Sequence, residues 1–218
     1  MNTSKYIRLA VIFFVRVFAA ALTLFVSYAV TKTLSIEQSG VFFLANAIII
    51  ILSTIGCLGM RDSFVRFISG YSSEGNHAAS REIFKLGIIA SSIICFVISL
   101  ILYFFSEMIA EKIFKNPSLS SLIEIISYIL IPFTLLQLIG SAFQGRQQFL
   151  RSLFFKNISV NLIFLIAVTI IFYTSGEIDA AISLKIFLYS SLVSFSIALT
   201  LWIKQNYSGE ILDSSVGS

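Results

Sequence analysis

The chain has 218 residues, of which 57% are hydrophobic and only 12% charged, with a mean hydropathy of +0.95. A soluble domain carries about 25% charged residues, so this balance excludes an ordinary soluble enzyme or binding domain and points to an integral membrane protein. The net charge of +4 does not imply nucleic acid, because the basic residues stand beside apolar spans and report topology, and no nucleic-acid partner is expected.

The apolar runs are membrane-length rather than alternating segments of ~10 residues, which selects helices over a barrel. Lys5 and Arg8 precede a first run, Leu9 to Thr31, interrupted only by Arg16. Ala19-Ala20-Ala21 mimics a signal-peptidase site, but the run continues through Val30 and is read as a span. The spans are predicted at 9–31, 41–60, 86–106, 125–145, 157–176 and 182–203. The predicted fold is an all-α integral membrane protein whose six transmembrane helices form one lobe over residues 1–204, followed by a polar cytoplasmic tail over 205–218.

Orientation follows from Lys and Arg, which accumulate on the untranslocated side. Lys5, Arg8, Arg61, Arg66, Arg81, Lys85, Arg146, Arg151, Lys156 and Lys204 fall on one side, and Lys32, Lys112, Lys115 and marginally Lys185 on the other. Both termini are therefore expected in the cytoplasm. The loop from Asp62 to Lys85 reads as an interfacial elbow broken at Ser72, Ser73, Gly75 and Asn76, with another helix beginning at Arg81, Glu82 and Lys85. The loop from Glu107 to Leu122 reads as a segment lying at the interface before Pro117 turns it.

Catalytic signatures are lacking. The one histidine, His77, stands in a loop, no acidic pair lies within a span, and no phosphate loop or set of metal ligands is present. Neither an enzyme nor a metal or cofactor is expected. Cys57 and Cys95 read as small hydrophobes within spans.

Arg16 is the outstanding residue, because a charge at the centre of a transmembrane helix costs ~2.5 kcal/mol or more and faces a cavity or partner. Ala20, Thr23, Ser27 and Thr31 share its helical face, which aims the guanidinium inward; the alternative is snorkelling to the headgroups. The fourth span carries a comparable stripe of Ser127, Thr134, Gln137, Ser141 and Gln144, with Pro132 freeing a backbone carbonyl. Gln137 and Gln144 are its candidates for a cavity, with helix packing as the alternative. Ser183, Ser190 and Ser194 read as packing, Lys185 as a snorkelling residue, and Asn46, Asn157 and Asn161 as interhelical hydrogen-bonding residues.

Several short motifs carry a resemblance. Glu37-x-x-Gly40-x-Phe42 opens the second span, Gly56-x-Leu58-Gly59 closes it, and Arg66-Phe67 leads to Tyr71. After Pro132, Gln144-Gly145-Arg146 and Gln148-Phe149 lead into Lys156-Asn157. In this order they resemble the polysaccharide biosynthesis exporters, the lipid-linked oligosaccharide (O-antigen) flippases related to the multidrug/toxin extruders, over residues 5–204. Members of that family have twelve or more helices in two lobes around a central cavity, and this sequence resembles the N-terminal lobe of such a MATE-like transporter alone.

The resemblance implies a multi-pass protein of a bacterial or archaeal inner membrane that flips a lipid-diphosphate-linked oligosaccharide during surface polysaccharide (lipopolysaccharide, capsule or exopolysaccharide) assembly. Arg16, Thr23, Gln137 and Gln144 would then line the cavity, and Arg61, Arg66, Arg146 and Arg151 its cytoplasmic mouth. The partners implied are the substrate, membrane lipid, and a second lobe supplied by a homodimer or a separate chain. Two alternatives stand beside this reading: a lobe of a small-molecule, multidrug-type exporter, and a non-transporting membrane subunit or remnant of such an exporter.

Overall fold

A chain crossing hydrocarbon must satisfy every backbone N–H and C=O internally, so each long apolar run in this sequence closes into a helix. The computed structural model describes the backbone of residues 3–175 and 178–216; the side chains of residues 1–5, Arg8, His77, Ser118, 175–177 and 206–218 lie outside the described residues. In chain order the helices are α1 (Thr3–Thr33), α2 (Ile36–Gly56), α3 (Met60–Ser73), α4 (His77–Phe104), α5 (Ser106–Lys112), α6 (Ser120–Gly145), α7 (Phe149–Leu153), α8 (Ser159–Ser175) and α9 (Ala180–Val216). A single π turn, Phe154–Ile158, joins α7 to α8. Six segments are long and apolar enough to cross a membrane, at 9–33, 36–56, 78–104, 120–145, 149–174 and 180–205, and no strand occurs among the described residues. The protein is an all-helical, multi-pass membrane protein.

α6 is the axis of the bundle. Its apolar window is 72% buried, against 17–39% for the other five spans, and it packs on α2, α3, α4 and α9. Leu136, Leu138, Ile139 and Phe143 are completely enclosed. At the end of the bundle that carries most of the basic residues, the Trp202 ring packs 4.6 Å from that of Phe84 and 5.3 Å from that of Phe143, with the Arg146 guanidinium 4.2 Å above it. Towards the far end, the Phe133, Phe187, Phe164 and Phe42 rings follow one another at 5.8, 6.0 and 5.5 Å. Beyond them Gln38 donates from Nε2 to Asp179 Oδ1 at 3.2 Å, which ties α2 to the start of α9.

Several boundaries differ from those read in the sequence. The second span begins at Ile36 rather than 41, because the Ser35 hydroxyl caps it by accepting from the Gln38 N–H at 3.3 Å, and Glu37 is favoured in a first turn. It ends at Gly56, after which Leu58 and Gly59 take left-handed φ of 48° and 67° and break the chain before α3. Leu58 is strained there in a way that glycine is not. The third span is the inner part of a helix that starts at His77, where the Asn76 side chain accepts from the Ala79 N–H at 3.0 Å, so the helix read as beginning at Arg81, Glu82 and Lys85 starts four residues earlier and is continuous with the span. The fifth starts at Phe149 rather than 157, which places Lys156 inside a spanning segment. The backbone of α9 continues as helix through the polar residues after 204.

Candidate functional site

Between α1 and α8 on one side and α2 on the other, over the face of α6, lies a cleft of about 450 Å³. α1 contributes Arg16, Ala20 and Thr23, α2 contributes Asn46, Ile50 and Ser53, and Arg61 reaches it from the start of α3. Phe133 and Gln137 form its floor on α6, Lys156 and Asn157 enter from the π turn, Val160 and Asn161 follow on α8, and Phe187 comes from α9.

The π turn sets the most informative of these positions. The Ser159 N–H reaches back to the Phe154 carbonyl, five residues away, so the ladder carries an extra residue. The Lys156 carbonyl accepts from Gln137 Nε2 at 3.2 Å, and its ammonium donates to Ser141 Oγ at 3.2 Å, so Lys156 is stitched to α6 at two points. Its aliphatic stem passes directly over Gly140, where a Cβ would collide with it. Arg61 is held by a bond from Nη2 to Thr54 Oγ1 at 2.7 Å, which folds it back over the end of α2. Asn161 donates to Thr23 Oγ1 at 3.3 Å and to the Asn157 carbonyl at 3.2 Å, tying α8 to α1. Arg16 is exposed and makes no hydrogen bond or ion pair among the described residues.

The cleft therefore gathers Arg16, Arg61 and Lys156 with no carboxylate among its lining residues. Three cations brought together at membrane depth, with Asp62 the one carboxylate close enough to Lys156 to interact with its charge, favour an anion, and more than one cation favours a multiply charged one. No group of metal-ligating side chains occurs among the described residues.

Of the positions named from sequence, Arg16, Thr23, Gln137 and Arg61 meet in this cleft. Gln144 is half-buried outside it, and Arg66 is exposed on α3. Arg146 lies on the Trp202 ring, where burial, and secondarily the charge of Arg81, lowers its pKa below the ordinary arginine value. Arg151 donates to Gln148 at 3.0 Å and Gln205 at 3.2 Å beside a separate groove lined by Leu9, Ile12 and Leu150. The remaining α6 stripe is internal, with Ser127, Thr134 and Ser141 buried and Ser141 bonded back to the Gln137 carbonyl at 3.1 Å. Ser183, Ser190 and Ser194 are likewise enclosed, and Lys185 is exposed.

Sequence reasoning missed Lys156, Asn46 and Asn157 as lining residues and assigned Asn161 only its interhelical bond. The available signal was the apolar run Phe149-Leu150 and Leu153-Phe154-Phe155 upstream of Lys156, which extends the fifth span towards the fourth and encloses the lysine.

Fold and site together define a helical multi-pass membrane protein with a cation-lined cleft between its helices. Within that class the sequence matches the family model described as polysaccharide biosynthesis protein over residues 8–213. The chain belongs to that family. A search of curated proteins and a search of solved structures each found no match.

Proposed function

We propose that the chain is a flippase lobe that carries a lipid-diphosphate-linked oligosaccharide from the cytoplasmic to the outer leaflet in surface polysaccharide assembly. The observation that carries this reading is the convergence of Arg16, Arg61 and Lys156 in one cleft that no carboxylate lines. A diphosphate offers two charged groups to such a set, and Arg16 and Arg61 each present a planar fork suited to phosphate oxygens. The basic end of the bundle is the cytoplasmic end in this reading, so the cleft receives the headgroup from the leaflet where it is made. Cationic amphipaths, the usual load of a multidrug exporter, meet repulsion in the same place. A second lobe, from a second copy or a separate chain, completes alternating access, which in transporters of this kind requires two repeats moving against each other.

The test is flipping of a fluorescent short-chain lipid-diphosphate oligosaccharide in proteoliposomes containing the assembled protein. Losing the charge-assisted bonds of one arginine is expected to lower the rate about tenfold to a hundredfold in Arg16→Ala. Arg16→Lys retains part of the activity, because lysine keeps the charge and loses the fork. Normal flipping by both variants reduces Arg16 to a headgroup anchor and overturns its role.

A further inference from the structure

We infer that the cleft has a second, neutral compartment that binds carbohydrate: Asn46, Asn161 and Gln137 take the hydroxyls of the sugar attached to the diphosphate, and Phe133 walls its C–H face. This rests on the reading above that the cations hold a diphosphate.

The two kinds of lining residue are separated along the membrane normal. Counted at 1.5 Å per residue from the basic ends of their spans, Arg16 and Lys156 stand ~10 Å deep and Gln137 ~12 Å, at the boundary, whereas Asn46 stands ~15 Å and Asn161 and Phe133 ~18 Å deep. Arg61 is at the rim, at the start of α3. A diphosphate on the cations thus leaves the deeper amide-lined space for the group joined to it.

The chemistry of that space matches a polyol. A sugar hydroxyl both donates and accepts; an amide side chain does the same with two N–H groups and a carbonyl, whereas Arg and Lys only donate. The committed bonds leave this capacity free. Gln137 and Asn161 use their nitrogens on Lys156, Thr23 and Asn157, and no bond to their side-chain oxygens occurs among the described residues. Asn46 makes no side-chain hydrogen bond among the described residues. Asn46 is therefore not a fastener of helices, because an amide in that role is paired and an unpaired polar group at this depth is costly. A volume of about 450 Å³ suits one compact headgroup, at the lower end of the ~300–1,000 Å³ of small-molecule sites, and so selects the diphosphate with its first sugar rather than a whole oligosaccharide.

The test compares binding of farnesyl diphosphate with that of farnesyl diphosphates bearing glucose, galactose or N-acetylglucosamine, using the full chain in detergent. The readout is the ratio of each sugar-bearing affinity to the bare one. At least one sugar is expected to raise affinity about fivefold or more in the wild type, the scale of one or two net hydrogen bonds. That ratio is expected to fall to about one in Asn46→Leu, and likewise in Asn46→Ala, which guards against a misfolded first variant; thermal unfolding without probe identifies a folded one. Arg16→Ala is expected to weaken every probe alike and leave the ratio standing. A ratio of one for all three sugars in the wild type, or an unchanged ratio in both Asn46 variants, overturns the carbohydrate compartment while the diphosphate reading stands. Failure of bare farnesyl diphosphate to bind the wild type overturns both.

Discussion

α6 and α1 both wall the cleft and both carry a polar stripe at helical spacing, yet α6 is 72% buried and α1 17%. The difference separates two meanings of one sequence signal. On α6, Ser127, Thr134 and Ser141 are enclosed between helices and only Gln137 reaches the cleft; on α1, Arg16 and Thr23 stand open on it. A stripe of Ser, Thr and Gln is glue where neighbours surround it and lining where they do not. One wall is therefore a rigid backing and the other a lightly held panel, fastened to α8 by the Asn161–Thr23 bond.

The largest effect that tests this contrast is on α6. Leu136→Ala, at a wholly enclosed site, is expected to cost ~2–5 kcal/mol and to lower the midpoint of thermal unfolding in detergent markedly. Gly140→Val comes next, at ~1–3 kcal/mol, because its side chain displaces the Lys156 stem; weakened farnesyl diphosphate binding should accompany the loss of stability. Arg146→Met keeps an apolar stem beside Trp202 but removes the cation, an expected ~0.5–2 kcal/mol read by the same unfolding measurement. The smallest effect is expected from Leu24→Ala on α1. That side chain is 72% exposed, leaves lipid-like surroundings for lipid-like surroundings, and should change stability by no more than ~0.5 kcal/mol. Equal losses in Leu136→Ala and Leu24→Ala would break the contrast.

The number of spans was legible because hydrocarbon sets a length and few charges interrupt the runs. Arg16 was legible because a charge inside such a run is conspicuous. The ends of the helices were not: the charges at Glu37, Arg81 and Lys85 kept the predicted spans short, but a helix tolerates them once it leaves the membrane, and Ser35 and Asn76 cap it well before the apolar part starts. Lys156 was hidden for the same reason, since its charge suggested a loop while the apolar residues before it belonged to the span. Asn46 was hidden differently. A lone asparagine has the same composition whether it fastens helices or faces a cleft, and only the lack of a partner tells the two apart.

The π turn at 154–158 has a consequence for length variation. It holds one residue more than an α-helical path requires, and removing one residue there would let the ladder close as an ordinary α-helix. The flanking helices would keep nearly their relative register, because the wide turn already absorbs the extra residue, and the change would fall on which side chain leaves this turn over Gly140 in place of Lys156. Two homologous chains that differ by a single deletion at this point would share a hydropathy profile and a span count, and would offer different chemistry to whatever enters between the helices.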